Sequence, residues 1–252
     1  MKKPELLAPA GDLTRLSYAL AYGADAVYAG QPAFSLRARE NGFKNLDDLA
    51  AGVALCRKLD RKFYLASNVI PRNTKVDSFQ KALLAAIELK PDALIVADPG
   101  IIGFLRREAP QQELHLSVQA NTTNWLTAKY WAEQGIKRII LSRELRLEEV
   151  REIHKRVPEV ELEVFVHGAV CMAMSGRCML SNWVSHRDAN QGACNNSCRM
   201  PYKLFANPEV QEDDYQMHQG SFSLRSSDKP EQAPIDLDED SWGTYFMSSR
   251  DL

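Results

Sequence analysis

The sequence predicts an α/β protein in which parallel strands curl into a TIM-like (β/α) barrel. Across residues 1–170, short apolar or β-branched runs alternate with segments of helical periodicity, and this happens seven times in succession. The connections between these segments are short, which favours a barrel over an open doubly wound sheet. No Gly-x-Gly-x-x-Gly turn follows a predicted strand, so the pattern indicates no dinucleotide site.

The predicted strands are apolar along most of their length, as is typical of parallel strands covered by helices. They are Glu5–Ala8, Ala26–Ala29, Lys62–Ser67, Ala93–Ala97, Glu113–Val118, Arg138–Leu141 and Glu161–Val166. Six helices are predicted between them, and the first has Asp12 as its N-cap and Gly23 at its end. The next four are Leu46–Leu59, Val76–Leu89, Pro99–Arg107 and Trp125–Gln134, and Leu147, Val150 and Ile153 mark the sixth.

The end of the chain does not continue this pattern. Residues 206–241 are rich in Asp, Glu, Gln, Ser and Pro and lack periodicity, which predicts a flexible acidic insertion and not a second domain. Residues 1–205 are therefore predicted to form the barrel. Residues 242–252, with a strand-like run at 244–249, are predicted to start a further barrel element. Because a complete barrel needs eight strands, we expect the chain to be truncated near its last strand.

Charge is spread unevenly along the sequence. The chain has 31 Lys and Arg against 33 Asp and Glu, and residues 206–241 hold ten of the acids and two of the bases. The remainder, with 29 bases and 23 acids, carries a formal charge of +6, which is compatible with a nucleic-acid partner. No apolar run is long enough to span a membrane, and Leu6–Ala10 is too short for a signal peptide. We therefore expect a cytoplasmic protein without a membrane partner.

Four of the five cysteines fall within 28 residues and predict a metal centre. They follow the spacing Cys171-x6-Cys178-x15-Cys194-x3-Cys198 directly after the seventh predicted strand, whereas Cys56 is expected to be a buried core residue. In a reducing compartment, such clusters are metal ligands or catalysts more often than disulfides. Four thiolates suit an iron–sulfur cluster. Zinc, which usually takes two tight cysteine pairs, and catalytic or redox thiols remain alternatives. Since barrel active sites lie at the carboxyl ends of strands, the centre is expected near the chemistry.

The segment from Glu163 to Ser181, EVFVHGAVCMAMSGRCMLS, matches the signature of peptidase family U32 at every defined position. Other blocks also resemble this family: Glu5–Gly11, Tyr22–Tyr28, Asp98–Gly100, Ser117–Asn121 and Leu141–Leu145. The resemblance implies an oxygen-independent hydroxylase with a four-iron four-sulfur cluster on the four clustered cysteines. Within the family the chain looks closest to the tRNA uridine hydroxylases, which implies formation of 5-hydroxyuridine at the wobble position with prephenate as the hydroxyl source. The cysteine spacing and the segments Arg187–Gly192 and Ser117–Trp125 carry that similarity.

Such a reaction needs a site for a small anionic donor and a pocket for a flipped-out base, and residues at the predicted strand ends are candidates for both. Arg143 is expected to pair bidentately with a carboxylate, with a salt bridge to Glu144 as its structural alternative. His167 is the expected acid–base residue. The candidates for reading a pyrimidine edge are Gln119, Asn121 and Asn68, and the candidate for contacting phosphate is Arg37.

Other functions stay open on the sequence alone. The family name implies a collagenase-like peptidase, in which His167 and Cys171 would form a catalytic dyad, although this leaves three cysteines without a role. A metalloprotease would need His-Glu-x-x-His, which the sequence lacks. Hydroxylation of ribosomal RNA or of a ubiquinone precursor, and a non-catalytic RNA-binding scaffold, are the further alternatives.

Overall fold

The computed structural model describes residues 3–39, 41–168 and 171–199, together with residue 231 and four strands beyond them. The chain divides into two compact units. The first comprises Met1–Asn182 and His186–Asn195, and the second comprises Trp183–Ser185 and Asn196–Leu252. The first unit holds all of the predicted barrel strands, and the second holds a separate sheet.

The first unit is built on seven parallel strands that follow one another in sequence order across the sheet. They are β1 (Leu7–Pro9), β2 (Ala26–Gly30), β3 (Lys62–Ala66), β4 (Ala93–Val96), β5 (Leu114–Leu116), β6 (Arg138–Ile140) and β7 (Glu161–Glu163). Each predicted strand is present at its predicted place, which confirms the α/β barrel-like class. The last of them is shorter than predicted, because residues 164–166 leave the sheet and are exposed.

Helices follow the strands as the periodicity predicted. They are α1 (Leu13–Ala21), α2 (Leu46–Lys58), α3 (Asn73–Ile87), α4 (Pro99–Glu108), α5 (Trp125–Glu133) and α6 (Leu147–Arg156), and α7 (Leu180–Ser185) lies in the cysteine-rich segment. Asp12 caps α1 as predicted, since its carboxylate accepts a hydrogen bond from the N–H of Arg15 at 2.7 Å. Within the described ranges, none of the helices is both long enough and apolar enough to cross a membrane.

Side chains alternate between the two faces of the curled sheet, and each face has its own hydrophobic cluster. Outward-facing residues such as Leu65 and Ile139 pack with helix residues such as Leu16 in the larger, outer cluster. The inward face surrounds what we call the bore of the barrel. The inner cluster that lines the bore consists of Ala26, Tyr64, Ala66, Ala93, Ile95, Val118 and Ile140.

An arginine in the bore joins the two ends of the sheet. Arg138 begins β6, its side chain is 9% exposed, and its Nη1 donates to Glu5 Oε1 at 2.6 Å just before β1. Its Nη2 donates to Glu161 Oε2 at 2.6 Å at the start of β7. Since β1 and β7 stand at opposite ends of the strand order, the sheet must curl until both edges lie beside one guanidinium group. This ionic cluster therefore helps to hold the barrel curvature.

The second unit contains a four-stranded antiparallel sheet in the order β11-β10-β9-β8. Its strands are β8 (Tyr202–Ala206), β9 (Phe222–Ser226), β10 (Ile235–Glu239) and β11 (Tyr245–Phe246). Two of them fall within residues 206–241, where composition predicted a flexible insertion, and β11 pairs with β10 where a further barrel element was predicted. The overall acidity concealed a period-two alternation of apolar and polar residues in β9 and β10. The rest of 206–252, apart from residue 231, lies outside the described residues.

Candidate active site

The candidate site lies at the carboxyl ends of the barrel strands, which we call the mouth. Parallel strands place their carboxyl ends on one side of a barrel, so the loops that follow them meet there. The predicted site residues after β2, β3, β5, β6 and β7 are Arg37, Asn68, Gln119, Asn121, Arg143 and His167. The structure brings Gln119, Asn121 and Arg143 together around one turn of the cysteine-rich segment, and leaves Arg37 and His167 exposed.

That turn is the single-turn 3-10 helix Met174–Gly176, and two of the predicted residues hold it. Gln119 Nε2 donates to the carbonyl oxygen of Gly176 at 3.0 Å. Asn121 Oδ1 accepts a hydrogen bond from Ser175 Oγ at 2.6 Å. Ser175 is fully buried, although it lies in a loop. The segment that carries the cysteines is therefore fastened to the mouth by hydrogen bonds from the loop after β5.

Arg143 has two buried nitrogen atoms, Nε and Nη2, without a hydrogen-bond partner among the described residues. Glu144, its predicted salt-bridge alternative, instead accepts a hydrogen bond from the backbone N–H of Ser175 at 3.0 Å. The guanidinium group lies over the ring of Phe165, with Cζ 5.6 Å from the ring centroid. Nε and Nη2 form the edge with which arginine binds a carboxylate bidentately.

Gly176 lies beside both Arg143 and Gln119. Its φ is +75°, and a Cβ atom there would stand 3.7 Å from Arg143 Nη2 and 3.7 Å from Gln119 Nε2. Gln119 is fully buried, and its Oε1 also has no hydrogen-bond partner among the described residues. Two donors and one acceptor with unmet hydrogen-bonding capacity thus lie around this point. Unpaired buried polar groups at the mouth of a barrel indicate a place for a ligand.

Asn68 takes part in holding the mouth together. Its Oδ1 accepts from the backbone N–H of Leu36 at 3.2 Å, and its Nδ2 donates to Ser117 Oγ at 3.0 Å. The side chain therefore joins the loops that follow β2, β3 and β5. Both ends of its amide group are used in these contacts, which favours the structural alternative for this residue.

Arg37 and His167 are exposed at the same end of the barrel. Arg37 lies near enough to Tyr28 to oppose the rise that burial causes in the pKa of that phenol. A protease dyad would require a hydrogen bond between His167 and Cys171. None is found between them among the described residues. The role of His167 as an acid–base residue remains a prediction.

Two of the clustered cysteines lie on segments that are hydrogen-bonded to their surroundings. The N–H of Cys178 donates to Asn190 Oδ1 at 3.2 Å, and its carbonyl oxygen accepts from Asn190 Nδ2 at 2.9 Å. Ser181 Oγ donates to Cys194 Sγ at 3.8 Å. Hydroxyl donors of this kind stabilise a thiolate and tune the properties of a metal centre.

The other cysteines differ in burial. Cys171 and Cys198 are half-buried, and Cys198 belongs to the second unit. Cys56 lies in the outer cluster as predicted, where burial raises the pKa of its thiol to about 11. Within the described residues, no three His, Cys, Asp or Glu side chains come together as a metal site. Four thiols are a donor set of the kind that an iron–sulfur centre uses.

The end of the cysteine-rich segment is anchored to the first unit at two more places. Arg72 Nη2 donates to Asp188 Oδ2 at 2.6 Å. Gly192 has a φ of +80°, and a Cβ atom there would stand 2.3 Å from the carbonyl oxygen of Ser35. Only glycine fits so close an approach at that φ. These contacts, with the turn at Gly176, bring the segment to the mouth at three separate loops.

One buried acid that sequence reasoning missed is Glu163, in the bore below the mouth. It ends β7, faces the bore, and has a buried Oε2 without a hydrogen-bond partner among the described residues. Burial raises its pKa to about 7, against the opposing effect of Arg138. The signal that could have revealed it is the pair of acids at 161 and 163, because residues two apart in a strand share a face.

The fold and the mouth define an α/β barrel protein whose cysteine-rich segment is hydrogen-bonded to the loops at the carboxyl ends of the strands. The chain belongs to peptidase family U32, whose family model matches residues 11–252. A solved structure of a U32 peptidase has the same fold, with a TM-score of 0.57 and 17% identity over 68% of this chain and 73% of that one.

Curated relatives are much more similar in sequence. The chain is 46% identical to tRNA hydroxylation protein P of Haemophilus influenzae and 45% identical to tRNA hydroxylation protein P of Escherichia coli, over 99% and 100% of its length. It spans 59% of the length of each of these relatives. It is also 38% identical to the 23S rRNA 5-hydroxycytidine C2501 synthase of E. coli, over 79% of this chain and 30% of that protein.

Proposed function

We propose that this chain is the barrel of a cytoplasmic tRNA-modifying enzyme that hydroxylates C5 of the wobble uridine without molecular oxygen. The observation that carries the proposal is 45–46% identity along essentially the whole chain to two proteins named for tRNA hydroxylation. A relative named as a synthase of 5-hydroxycytidine in ribosomal RNA supports the wider class, hydroxylation of C5 in an RNA pyrimidine. The formal charge of +6 outside residues 206–241 suits an RNA substrate.

The hydroxyl donor is proposed to bind at Arg143. Its Nε and Nη2 are buried and unpaired within the described residues, and this pair of donors matches the two oxygens of a carboxylate. Prephenate, a small carboxylate that carries a hydroxyl group, is the proposed donor. A buried guanidinium group with two unpaired donors has an unfavourable desolvation free energy. A carboxylate that accepts hydrogen bonds from both donors removes this cost, which favours binding of the donor molecule.

The target base is proposed to lie beside the donor, against Gln119. The unpaired Oε1 of Gln119 is an acceptor that suits the N3–H of uracil. Its amide nitrogen is already committed to Gly176, which fixes the orientation of the amide group. The exposed Phe165 ring offers a surface on which an unstacked base can rest.

A four-iron four-sulfur cluster on Cys171, Cys178, Cys194 and Cys198 is proposed as the metal centre. The chemistry such a cluster supplies when bound is that of a redox or Lewis-acid centre. Metal binding commonly assembles its own site, because thiol ligands that are apart in the metal-free chain are drawn together by the bonds they form. In the metal-free chain, the contacts at Gly176 and Asp188 keep the segment that carries Cys178 and Cys194 at the mouth.

The experiment that tests this function measures modified nucleosides by mass spectrometry in tRNA from a strain that lacks the gene. Restoring the intact gene should restore 5-hydroxyuridine and the nucleosides derived from it. Restoring it with Arg143→Ala should lower 5-hydroxyuridine by about 100-fold, since the donor loses its bidentate partner. Arg107→Ala, an exposed arginine at the end of α4, is the matched control and should behave as the unaltered gene.

Unchanged tRNA nucleosides in the deletion strain would refute the proposed substrate. If 5-hydroxycytidine in 23S ribosomal RNA fell instead, the substrate would be ribosomal RNA, as in the relative that bears that name. Full activity in Arg143→Ala would refute the proposed donor site while leaving the substrate in place.

A further inference from the structure

Glu163 stands in a position that packing alone does not explain. It ends β7 and pairs in register with Ile140 of β6, which belongs to the inner cluster. The side chain therefore faces the bore, directly below the level of Phe165 and Arg143 at the mouth. Most other residues at this level of the bore are apolar, so an acid here has a cost that an aliphatic residue would avoid.

The charges around Glu163 do not neutralise it. The cation that faces it is Arg138, whose Nη1 lies 3.8 Å from Glu163 Oε2, too far for a hydrogen bond. That guanidinium group is already bonded at 2.6 Å to Glu5 and at 2.6 Å to Glu161. Glu5, which faces Glu163 from just before β1, favours the neutral form of Glu163. Tyr28 faces it from β2, and the charge of Glu163 adds to the rise that burial causes in the pKa of that phenol.

A carboxyl group in this setting binds a proton near neutral pH. Burial raises the pKa of Glu163 to about 7, because desolvation and the charge of Glu5 outweigh the attraction of Arg138. A residue transfers protons most efficiently when its pKa lies near the pH at which the enzyme works. The neighbouring carboxyl group of Glu5 has the opposite character, since its hydrogen bonds from Arg138 and Tyr64 overcome burial and lower its pKa to about 2.

We propose that Glu163 is the proton-exchanging residue of the active site, and this inference rests on the proposed hydroxylation of a pyrimidine. The overall exchange is C5–H plus donor R–OH giving C5–OH plus R–H, so the donor is reduced by the two electrons that the pyrimidine loses. The C5–H bond breaks, its electron pair stays with the pyrimidine, and the proton passes to the Glu163 carboxylate. That pair then forms the C5–O bond as the C–O bond of the donor breaks, and the electrons of the broken bond stay on the donor carbon. The same proton then goes to the carbon of the donor that has lost its hydroxyl group, which returns Glu163 to its starting state.

The first test does not depend on activity. Difference infrared spectra of the whole protein between pH 5.5 and 8.5 should show loss of a protonated carboxyl band with a midpoint near pH 7. The band should be absent in Glu163→Gln, which mimics the protonated side chain, and present in Glu133→Gln, an exposed control on α5. Glu163→Asp, which keeps a carboxyl group, should also keep the band. A spectrum that is the same in unaltered protein and Glu163→Gln would overturn the inference.

The second test is the pH profile of tRNA hydroxylation by the whole protein. The unaltered rate should follow a group that titrates near pH 7. Glu163→Gln should be slower by about 100-fold and lose that inflection, and Glu163→Asp should recover part of the rate together with the inflection. Normal hydroxylation with an unchanged profile in Glu163→Gln would overturn this inference and leave the proposed function standing. The expected titration in a protein that hydroxylates no RNA would refute the proposed function, and with it the role of Glu163 in that reaction.

Discussion

Replacing Arg138 with methionine should lower the free energy of unfolding by at most about 3 kcal/mol at neutral pH, because Glu5 loses the cation that lowers its pKa most and keeps its pair with Lys62 at 3.2 Å. The magnitude follows from Glu5, which is 22% exposed and whose pKa falls from 4.5 to about 2 in the folded chain. That lowering corresponds to about 3 kcal/mol of stability at pH 7. The pair with Glu161 adds little, since that carboxylate is 64% exposed and competes with water.

The pH dependence of the stability loss distinguishes a lost ion pair with Glu5 from lost packing of the Arg138 side chain. A carboxyl group whose folded pKa lies below its unfolded value stabilises the fold above about pH 4.5 and stops doing so as pH falls through about 2. The difference in stability between the unaltered chain and Arg138→Met should therefore be smaller at pH 3 than at pH 7.

Urea unfolding followed by circular dichroism at pH 7 and pH 3 measures the loss of unfolding free energy in Arg138→Met and its dependence on pH. Arg151→Met, which removes an exposed pair with Glu148, is the matched control and should change stability by less than about 0.5 kcal/mol. A loss in Arg138→Met that is equally large at pH 3, or one no larger than in Arg151→Met, would refute the reasoning. Full retention of the loss in a Glu5→Gln background would also show that the Glu5 pair does not carry it.

Three further predictions follow from the bore, the anchored loop and the cysteines. Glu163→Gln should raise the free energy of unfolding at pH 8.5 by about 1–3 kcal/mol and change it little at pH 4: a folded pKa of about 7 against 4.5 means that ionisation costs stability as pH rises through 7, and urea unfolding at both pH values checks this. Gly192→Ala should cost about 2 kcal/mol more than Gly23→Ala, because both residues have positive φ but only Gly192 meets backbone at 2.3 Å; equal melting temperatures would contradict the close approach. Cys171→Ala should abolish bound iron and acid-labile sulfide in anaerobically purified protein, whereas Cys56→Ala should keep both, and full iron content in Cys171→Ala would exclude it as a ligand.

Much of the barrel could be predicted because each strand and each helix leaves a local period in the sequence. Runs such as Ala93–Val96 are apolar throughout, and the helices between them begin at recognisable caps such as Asp98. The antiparallel sheet of the second unit was missed for the opposite reason. Its strands β9 and β10 are only five residues long and lie in a segment whose acidic composition outweighs a short alternation.

Part of the candidate site could also be predicted, because parallel strands deliver their carboxyl ends to one side. Gln119, Asn121 and Arg143 follow neighbouring strands, and the structure does bring them together. Their partners Ser175 and Gly176 could not be predicted, since they are more than 50 residues away in sequence from the loop after β5 and no local pattern encodes the contact. Asn68 was expected to face a substrate, yet both ends of its amide group are used to join loops.

The spacing of glycine and cysteine in the cysteine-rich segment has a physical explanation at the mouth. Gly176 has a positive φ, a backbone conformation that favours glycine, and it lies beside both Arg143 and Gln119. Two residues later the backbone of Cys178 is held on both sides by Asn190. The residue that lies beside the unpaired guanidinium edge is thus only two residues away from a proposed metal ligand. A carboxylate bound at Arg143 and a metal bound at Cys178 would therefore act on the same short stretch of backbone, which is what a reaction that uses both would require.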